Sequence, residues 1–269
     1  MKDTIEFPDI PSYSKKDIKK VQDRLLAMAV CVRDILEKHQ IPYMLTYGTL
    51  LGAARHEGFI PWDDDFDMFL FEDTYEEAMG YLRDELPDWM IVHDKRSDPI
   101  YWPYWARIRD LNSEVPTDYY SDDRFYKYQG LSLDLYKLKE CLKGEGKLRI
   151  YEENLRHYET KRTLGLLTED AYKDKTEKIK EQIRKEQNKK RKNGNSKERE
   201  YYFVVYGLDS LKKEDVFPLQ RYRFEGYEFW GPRNAEGILR PSYGNYLELP
   251  PYEKRKPKGT CVLYKCSQK

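Results

Sequence analysis

Four aspartates stand together in the run GFIPWDDDFDMFL, residues 58–70, directly before an apolar segment. Carboxylates this close repel one another and raise each other's proton affinity. On a strand that begins at Asp65, Asp65 and Asp67 share one face, about 6–7 Å apart, while Phe66 and Met68 take the other. Magnesium favours hard oxygen ligands and leaves room for water and substrate phosphates. We therefore predict that Asp65 and Asp67 bind Mg²⁺, with Mn²⁺ as the alternative ion.

Further carboxylates accompany this pair. Asp63 and Asp64 precede the expected strand, and we interpret them as supporting residues of the turn, with direct metal contact as the alternative. Asp134 lies in GLSLDLYKL, residues 130–138, where the leucines alternate onto one face of a strand and Asp134 takes the other. A sheet that placed Asp134 beside the first pair would build a three-carboxylate site for one or two metal ions.

Residues that suit phosphate lie near these aspartates in the sequence. Gly48 and Thr49 separate a short apolar strand from a small predicted helix, and N–H groups at a helix N-terminus can hold a phosphate. Arginine donates two parallel hydrogen bonds to a phosphate from its planar guanidinium group. The basic candidates for phosphate contact are Arg55, His56, Arg107 and Arg109. The combination predicts a site for a metal ion and a phosphate.

Hydrophobic periodicity predicts an α/β or α+β core around one sheet, and we take as the fold class an α+β fold in which a mixed sheet is flanked by helices. The expected helices cover 15–39 and 74–86, and the expected strands cover 65–71, 89–93, 103–109 and 130–138. The region after them is helical and rich in charge, and the last part returns to tyrosine-rich globular sequence. We divide the chain into a core (1–143), a charged helical insert (144–200) and a C-terminal segment that packs on the core (201–269).

Composition narrows the class of protein. The 269 residues include 48 basic and 48 acidic side chains, and a net charge of zero gives no indication of nucleic acid as a partner. No apolar run reaches the roughly 20 residues that a membrane-spanning helix needs. The N-terminus lacks the apolar region of a signal peptide, which predicts a cytoplasmic protein. The four cysteines are scattered and are expected to be free thiols.

The segment YGTLLGAARHEGFIPWDDDFD, residues 47–67, closely resembles the signature of the LicD family of phosphocholine transferases, which includes relatives of fukutin. GLSLDLYKL is similar to the family's later strand with its single Asp, and SYGNYLELPPYEKR, from Ser242, resembles its C-terminal segment. The resemblance spans about residues 20–257, without a counterpart for much of the charged insert. It implies a polymerase-beta-type nucleotidyltransferase fold.

The resemblance also implies an activity: a transferase that moves phosphocholine, or a related phospho-alcohol, from a CDP-activated donor such as CDP-choline to a sugar hydroxyl and releases CMP. The expected acceptor is a glycan precursor of bacterial teichoic acid, capsule or lipopolysaccharide, free or lipid-linked. In such an enzyme Asp65 and Asp67 hold the metal on the diphosphate, and Asp134 holds a second metal or accepts the hydroxyl proton. Gly48 and Thr49 hold phosphate oxygens, and the basic residues named above neutralise the departing phosphate.

Choline carries a quaternary ammonium, which binds well inside a cage of aromatic rings. We assign Tyr104 to substrate binding on this ground, and the other aromatic candidates are Tyr101, Trp102, Trp105, Tyr119 and Tyr120. Tyr243 in the C-terminal motif is a further substrate-binding candidate. The alternative for Tyr243 is that it folds this segment against the cleft.

Two other functions stay open on the sequence alone. A nucleotidyltransferase would use the same three aspartates, transfer the nucleotidyl group and release pyrophosphate. A non-catalytic metal-binding domain would keep the acidic cluster for structure only. The basic tract KKRKNGNSKERE, residues 189–200, is interpreted as solvated helix and loop, with peripheral contact at the inner face of the membrane as the alternative.

Overall fold

The computed structural model describes residues 15–115, 125–193, 197–202, 211–257 and 263–264. Within these ranges the helices are α1 (Lys15–Lys38), α2 (Tyr47–His56), α3 (Glu72–Glu85), α4 (Gly146–Thr163), α5 (Glu169–Asn193), α6 (Lys213–Val216) and α7 (Ala235–Tyr243). The strands are β1 (Tyr43–Leu45), β2 (Asp67–Phe71), β3 (Met90–His93), β4 (Ala106–Asp110), β5 (Ser113–Glu114), β6 (Ser132–Leu142), β7 (Arg199–Tyr202), β8 (Leu211–Lys212), β9 (Gln220–Phe224), β10 (Tyr227–Gly231) and β11 (Leu263–Tyr264).

The central strands form a mixed sheet in the order β1-β2-β6-β4-β3, with β7 pairing with β6 and β8 with β7. β2 and β6 run parallel, whereas the other neighbouring pairs are antiparallel. Helices α1 and α3 pack against one another and against this sheet. The predicted α+β class, with a mixed sheet flanked by helices, is confirmed.

The two faces of the sheet differ in the way that strand periodicity predicts. Leu133 and Leu135 of β6 are fully buried in the main core, together with apolar residues of α1 and α3. Successive side chains of a strand point to opposite faces, so Asp134 lies on the other side. Tyr136 follows Asp134 on that side and packs in a second cluster with Phe69. The alternation predicted for GLSLDLYKL is confirmed.

The strand after the aspartates begins at Asp67, two residues later than the sequence suggested. The backbone N–H of Asp67 donates to the Thr49 hydroxyl at 2.9 Å, so its partner at the start of the strand is a side chain of α2. Asp65 therefore precedes the strand. The predicted strand start at Asp65 was wrong, so strand parity no longer supports placing Asp65 and Asp67 on one face.

Helix boundaries agree more closely with the predictions. α1 covers the expected helix, and its proposed cap Ser14 lies outside the described residues. α2 begins at Tyr47, which places Gly48 and Thr49 inside its first turn rather than before it. Tyr47 has a φ of 47°, a left-handed backbone that is uncommon for a residue with a side chain. The sharp change of direction between β1 and α2 requires this conformation.

The charged insert contains the two predicted helices, α4 and α5, which pack against each other. Their exposed faces carry ion pairs one turn apart, such as Lys178–Asp174 at 2.8 Å. Lys190 of α5 contacts Glu145, which precedes α4. No helix in the described ranges has the length and apolar character needed to cross a bilayer. Cys31 and Cys141 are free thiols, as predicted, whereas Cys261 and Cys266 lie outside those ranges.

Gly130, just before β6, has no space for a side chain. A Cβ atom there would lie 1.7 Å from the carbonyl oxygen of Asp110, a backbone atom of β4. We expect Gly130→Ala to lower the free energy of unfolding by about 3 kcal/mol or more in urea denaturation, because the backbone of β4 must shift. Gly80→Ala in α3 is the control, since its Cβ meets nothing within 4 Å. Equal destabilisation by the two variants would contradict this explanation.

Candidate functional site

A row of four polar residues crosses the middle of the sheet. The parallel pairing of β2 and β6 places Asp67 opposite Asp134. The antiparallel pairing of β6 and β4 places Asp134 opposite Arg107, and that of β4 and β3 places Arg107 opposite His93. Residues opposite one another on neighbouring strands share a face. The sheet therefore brings two carboxylates, a guanidinium and an imidazole into one line.

Asp67 is the most buried carboxylate of this row, with 6% of its surface exposed. Burial raises its pKa well above the ordinary value, and the negative charges of Asp134 and Asp63 raise it further. The positive charge of Arg107 acts in the opposite direction. A carboxylate in this environment gains from a proton or from a cation, which is the condition for a metal or acid–base site.

Asp134 has protein partners on both carboxylate oxygens. Oδ1 lies 3.0 Å from Nε of Arg107 as an ion pair, and Oδ2 accepts a hydrogen bond from the Tyr136 hydroxyl at 3.1 Å. The side chain of Asp134 remains 17% exposed, against 7% for Arg107. Arg107 thus compensates part of the negative charge that the strand register concentrates here.

The acidic loop before β2 also contributes to the site. Its Asp63 joins the residues that the strands supply. The Asp63 carboxylate packs on Gly48 of α2: a Cβ on Gly48 would lie 2.6 Å from Asp63 Oδ2. Asp63 is also one of the charges that raise the pKa of Asp67. The glycine of the Gly48–Thr49 pair therefore makes room for a carboxylate, and the threonine accepts the N–H of Asp67.

Helix α1 also holds this acidic loop, through hydrogen bonds of Gln22. The Gln22 amide donates to the Asp63 carbonyl at 2.9 Å and to the Ile60 carbonyl at 3.2 Å, and Gln22 is only 6% exposed. The β9–β10 turn supports the start of the loop, where Glu225 accepts the Phe59 N–H at 3.1 Å. These contacts fix the backbone that carries the aspartates.

The C-terminal segment borders the acidic loop. Tyr243 is 41% exposed, yet burial of its phenol raises its pKa, and the charges of Asp63 and Asp67 contribute to this rise. Arg55 of α2 donates to the carbonyl oxygens of Tyr246 and Glu248 at 2.8 and 3.0 Å. Arg55 also donates to His56 Nε2 at 2.9 Å. These contacts place Tyr243, Arg55 and His56 where the C-terminal segment borders the acidic cluster.

Two of the predicted substrate-binding residues have other surroundings. Arg109 is buried and donates to the Gly130 carbonyl at 2.8 Å and to His93 Nδ1 at 3.3 Å. Tyr104 lies against α4, where its hydroxyl donates to the Glu153 carbonyl. In this arrangement both side chains hold elements of the fold together, and their assignment to the substrate stays a prediction.

The aromatic candidates divide into two groups. Tyr101 and Trp102 are buried in a cluster with Tyr126. Trp105 instead contacts the Tyr136 ring at 5.0 Å, next to Asp134, and Arg107 lies 5.9 Å from the Trp105 ring. Tyr119 and Tyr120 lie outside the described residues. Of the described candidates, Trp105 is therefore the one that these contacts link to the acidic pair.

The donor set fits magnesium in part. Asp67 supplies a buried carboxylate that gains from a cation, and Asp63 is a second carboxylate close to it. Asp134 Oδ1 lies at ion-pair distance from Arg107 Nε but accepts no hydrogen bond from the described residues, so this oxygen keeps lone pairs that could bind a metal ion. In the described part of the chain, no three His, Cys, Asp or Glu side chains are grouped as a ready-made metal site. The metal ligands Asp65, Asp67 and Asp134 stay a prediction.

Sequence analysis missed Tyr136 and Gln22 as contributors to this site, and it gave direct metal contact by Asp63 only as the alternative. Asp63 was treated as a residue of the turn because the strand was expected to begin at Asp65. Tyr136 shares strand parity with Asp134, and that parity was a usable signal. Gln22 is a polar residue on the apolar stripe of α1, four residues after Ile18, which is also a visible signal.

The fold is an α+β fold, with a mixed sheet flanked by helices. Its polar site resembles that of an enzyme, because a row of acidic and basic groups lies behind an acidic loop. A family model described as "LicD/FKTN/FKRP, nucleotidyltransferase domain" matches residues 40–175, just over half of the chain. This match includes β2, β4 and β6. The chain belongs to the LicD family.

Curated relatives agree with this assignment. The lipopolysaccharide cholinephosphotransferase LicD of Haemophilus influenzae is 26% identical over an alignment of 244 residues that covers 83% of this chain and 88% of the relative. An uncharacterized protein of Rickettsia prowazekii is 30% identical over 125 residues, covering 38% of this chain and 45% of that protein. A protein of Rickettsia typhi, also uncharacterized, is 30% identical over 113 residues, covering 39% and 36%.

His93, at the end of the polar row, makes the stability of the fold dependent on pH. Its burial, and then the positive charge of Arg109, lower its pKa from 6.5 to about 4. The neutral imidazole is therefore favoured in the folded state, and this contribution is complete above pH 6.5 and is lost as the pH falls towards 4. We expect a loss of up to roughly 3 kcal/mol over that interval, measured by urea unfolding at several pH values.

His93→Gln removes the titrating group and should flatten this part of the pH profile. His39→Gln is the control, because His39 contacts Glu85 near the surface and its side chain is 21% exposed. If His39→Gln flattened the profile and His93→Gln did not, the source of the pH dependence would lie elsewhere.

Gln22 is expected to act on the site through the acidic loop. Gln22→Met keeps the length of the side chain but removes the donors to Ile60 and Asp63. The Asp63 carbonyl loses this hydrogen bond, whereas the Ile60 carbonyl keeps the N–H of Asp63. We expect a loss of about 1–3 kcal/mol in unfolding free energy and a lower kcat/KM. Gln220→Met is the matched control, since Gln220 donates to the carbonyls of Pro232 and Arg233. A kcat/KM loss of the same size in both variants would contradict the role of Gln22.

Proposed function

We propose that this chain transfers phosphocholine, or a related phospho-alcohol, from a CDP-activated donor to a sugar hydroxyl of a bacterial cell-surface glycan precursor, with release of CMP. As a member of the LicD family it is a phosphotransferase. The name of the Haemophilus influenzae relative supports choline phosphate as the group transferred and lipopolysaccharide as the type of acceptor.

The observation that carries the proposal is the juxtaposition of Asp67 and Asp134 across the parallel strands, with Arg107 on the far side of Asp134. Transfer of a phosphoryl-linked group needs little covalent chemistry from the protein, and positioning and charge stabilisation supply most of the rate. A buried and a half-buried carboxylate beside a buried guanidinium provide groups of both signs at one place. This is the arrangement expected for a reaction that moves charge between phosphate oxygens.

We assign the residues as follows. Asp67 of β2, with Asp63 and Asp65 of the acidic loop before it, would hold Mg²⁺. The ion, when bound, would offset the negative charge of the donor's diphosphate. Asp134 is the proposed acceptor of the proton from the attacking hydroxyl, and Arg107 neutralises charge on the phosphate. In the reaction the acceptor oxygen forms a bond to the phosphorus that carries the alcohol. The bond from that phosphorus to the CMP oxygen breaks, and CMP leaves with the electron pair.

Trp105 is the proposed contact for the ammonium group of a choline donor. Its ring lies beside Tyr136, whose hydroxyl donates to Asp134, so a cation held there would be close to the acidic pair. A quaternary ammonium on an aromatic face gains about 0.5–2 kcal/mol. A CDP-glycerol or CDP-ribitol donor has no ammonium group that could bind in this way. The activity test therefore compares donors that carry different alcohols.

The test offers the protein CDP-choline, CDP-ethanolamine, CDP-glycerol and CDP-ribitol with Mg²⁺ and candidate acceptor glycans, and measures CMP. We expect CMP release from one donor, loss of activity in EDTA, and a fall in kcat of about 10³-fold or more in Asp67→Asn and in Asp134→Asn. Asp84→Asn is the control, because Asp84 is an exposed carboxylate of α3.

Other products would support other functions. Pyrophosphate in place of CMP would indicate a nucleotidyltransferase. Full turnover in both Asp67→Asn and Asp134→Asn would remove the catalytic role of these residues. Binding of a metal ion without any turnover, across all donors and acceptors, would favour the non-catalytic metal-binding domain.

A further inference from the structure

Tyr75 of α3 connects two strands of the sheet through its hydroxyl group. The side chain is only 5% exposed and packs in the main core. Its hydroxyl donates to the Leu135 carbonyl of β6 at 3.1 Å and accepts the N–H of Ala106, the first residue of β4, at 2.8 Å. Ala106 and Leu135 lie opposite one another in the register of these strands. One helical side chain therefore joins β4 to β6 through a backbone group of each.

This hydroxyl bridge lies next to the candidate site. The pair that follows Ala106 and Leu135 in the register of β4 and β6 is Arg107 and Asp134. A separation fixed at one pair of a ladder acts on the next pair, because consecutive Cα atoms are only about 3.8 Å apart and are joined by a planar peptide group. The Tyr75 hydroxyl is therefore placed to set the spacing of the two strands where they carry these charged groups.

The alternation of an antiparallel ladder makes this spacing important for the charged pair. In the same register, the Asp110 N–H donates to the Leu131 carbonyl at 2.8 Å. Opposite residues alternate between hydrogen-bonded pairs and pairs without these bonds, in which the side chains are closer. In steps of two from Asp110 and Leu131, the bridged pair is of the first kind, and Arg107 and Asp134 are of the second. Their separation therefore depends on the spacing of the two backbones.

The ion pair between Arg107 and Asp134 does not fix its own geometry. Nε of Arg107 lies 3.0 Å from Oδ1 of Asp134, yet this oxygen accepts no hydrogen bond from the described residues. Oδ2 accepts the Tyr136 hydroxyl at 3.1 Å. Hydrogen bonds are directional, whereas the attraction between two charges depends only on their distance. The placement of Arg107 beside Oδ1 therefore relies on the strands that carry the two residues.

We propose that Tyr75 is a positioning residue: its hydroxyl sets the spacing of β4 and β6 so that Arg107 stays beside Asp134 while Oδ1 remains open to the acceptor hydroxyl. This role rests on the proposed function, in which Asp134 accepts the proton of that hydroxyl and Arg107 neutralises charge on the phosphate. Tyr75 packs with Leu133 and Leu135 on the opposite face of the sheet, so it acts on the reaction through the charged pair. Supports of this kind hold reacting groups within about 0.5 Å of a productive geometry.

Steady-state kinetics of Tyr75→Phe test this role, because the variant keeps the buried ring and removes only the bridging hydroxyl. We expect kcat to fall about tenfold with an unchanged KM for the CDP-activated donor, since the contacts to the bound donor are kept. Tyr43→Phe is the matched control. Tyr43 is fully buried in β1, and its hydroxyl donates to Glu37 at 2.7 Å and accepts the Trp230 N–H at 3.4 Å. Measured per folded molecule, Tyr43→Phe should keep the wild-type kcat.

A double variant tests whether Tyr75 acts through Arg107. Arg107→Lys keeps the charge but alters the group that the bridge positions. In this background, Tyr75→Phe should lower kcat by less than about twofold, because residues that act as a unit have effects that do not add. Two losses of kcat that multiply would indicate that the hydroxyl acts independently of Arg107, and they would overturn the proposal.

Crystal structures of the wild-type chain and of the two single variants test the positioning without turnover. The distance between Arg107 Nε and Asp134 Oδ1 should change by about 0.5 Å or more in Tyr75→Phe and stay the same in Tyr43→Phe. If the chain turned over none of the substrates, the proposed function would fail while these structures still decided the positioning. The proposal is overturned if this distance is unchanged in Tyr75→Phe. It is also overturned if folded Tyr75→Phe keeps the wild-type kcat, or if both single variants lose kcat equally.

Discussion

The site depends on the parallel pairing of β2 and β6, which places Asp67 directly beside Asp134. Two carboxylates at adjacent positions of a sheet repel one another, and burial of Asp67 increases the cost of ionising it. The next strand supplies Arg107 opposite Asp134, so the same register that creates the repulsion also provides a compensating charge. The remaining imbalance at Asp67 is what a cation or a proton would relieve. Stability is given up at the position where chemistry is proposed, a relation common at functional sites.

The elements around this pair are arranged to hold one loop. Helix α1 donates to carbonyls of the loop through Gln22. Helix α2 accepts the N–H of the first residue of β2 through Thr49, and its Gly48 leaves space for Asp63. The β9–β10 turn reaches the start of the loop through Glu225. The contacts of Gln22, Thr49 and Glu225 are to backbone groups, so they fix the path of the chain that carries the carboxylates. Rigid supports outside a polar site are what keep its groups in position.

The regions of positive charge on the two sides of the carboxylates differ in kind. Arg107 is buried in the sheet and paired with Asp134, whereas Arg55 and Arg255 are fixed on carbonyls of the C-terminal segment. The backbone carbonyls of the C-terminal segment accept hydrogen bonds from both of these arginines, and Arg55 thereby ties this segment to α2.

Local patterns in the sequence were enough to determine the fold class, the helix α1, the alternation of β6 and the concentration of carboxylates before β2. These features follow from periods of two and 3.6 residues and from charges adjacent in the chain, so neighbouring residues contain all the information. They also indicated that Asp134 faces away from the leucines. The family signature lies within the same contiguous segments.

Only the tertiary structure decided which of these residues meet. Strand order and register put Asp134 beside Asp67 and pair Arg107 with Asp134. Arg109 instead donates to Gly130 and His93. Both arginines have the same parity on β4, so no local pattern separates them. β2 begins at Asp67, whose N–H donates to the side chain of Thr49 on another element. Contacts between segments far apart in the chain depend on how the whole sheet closes, and neighbouring residues do not encode that.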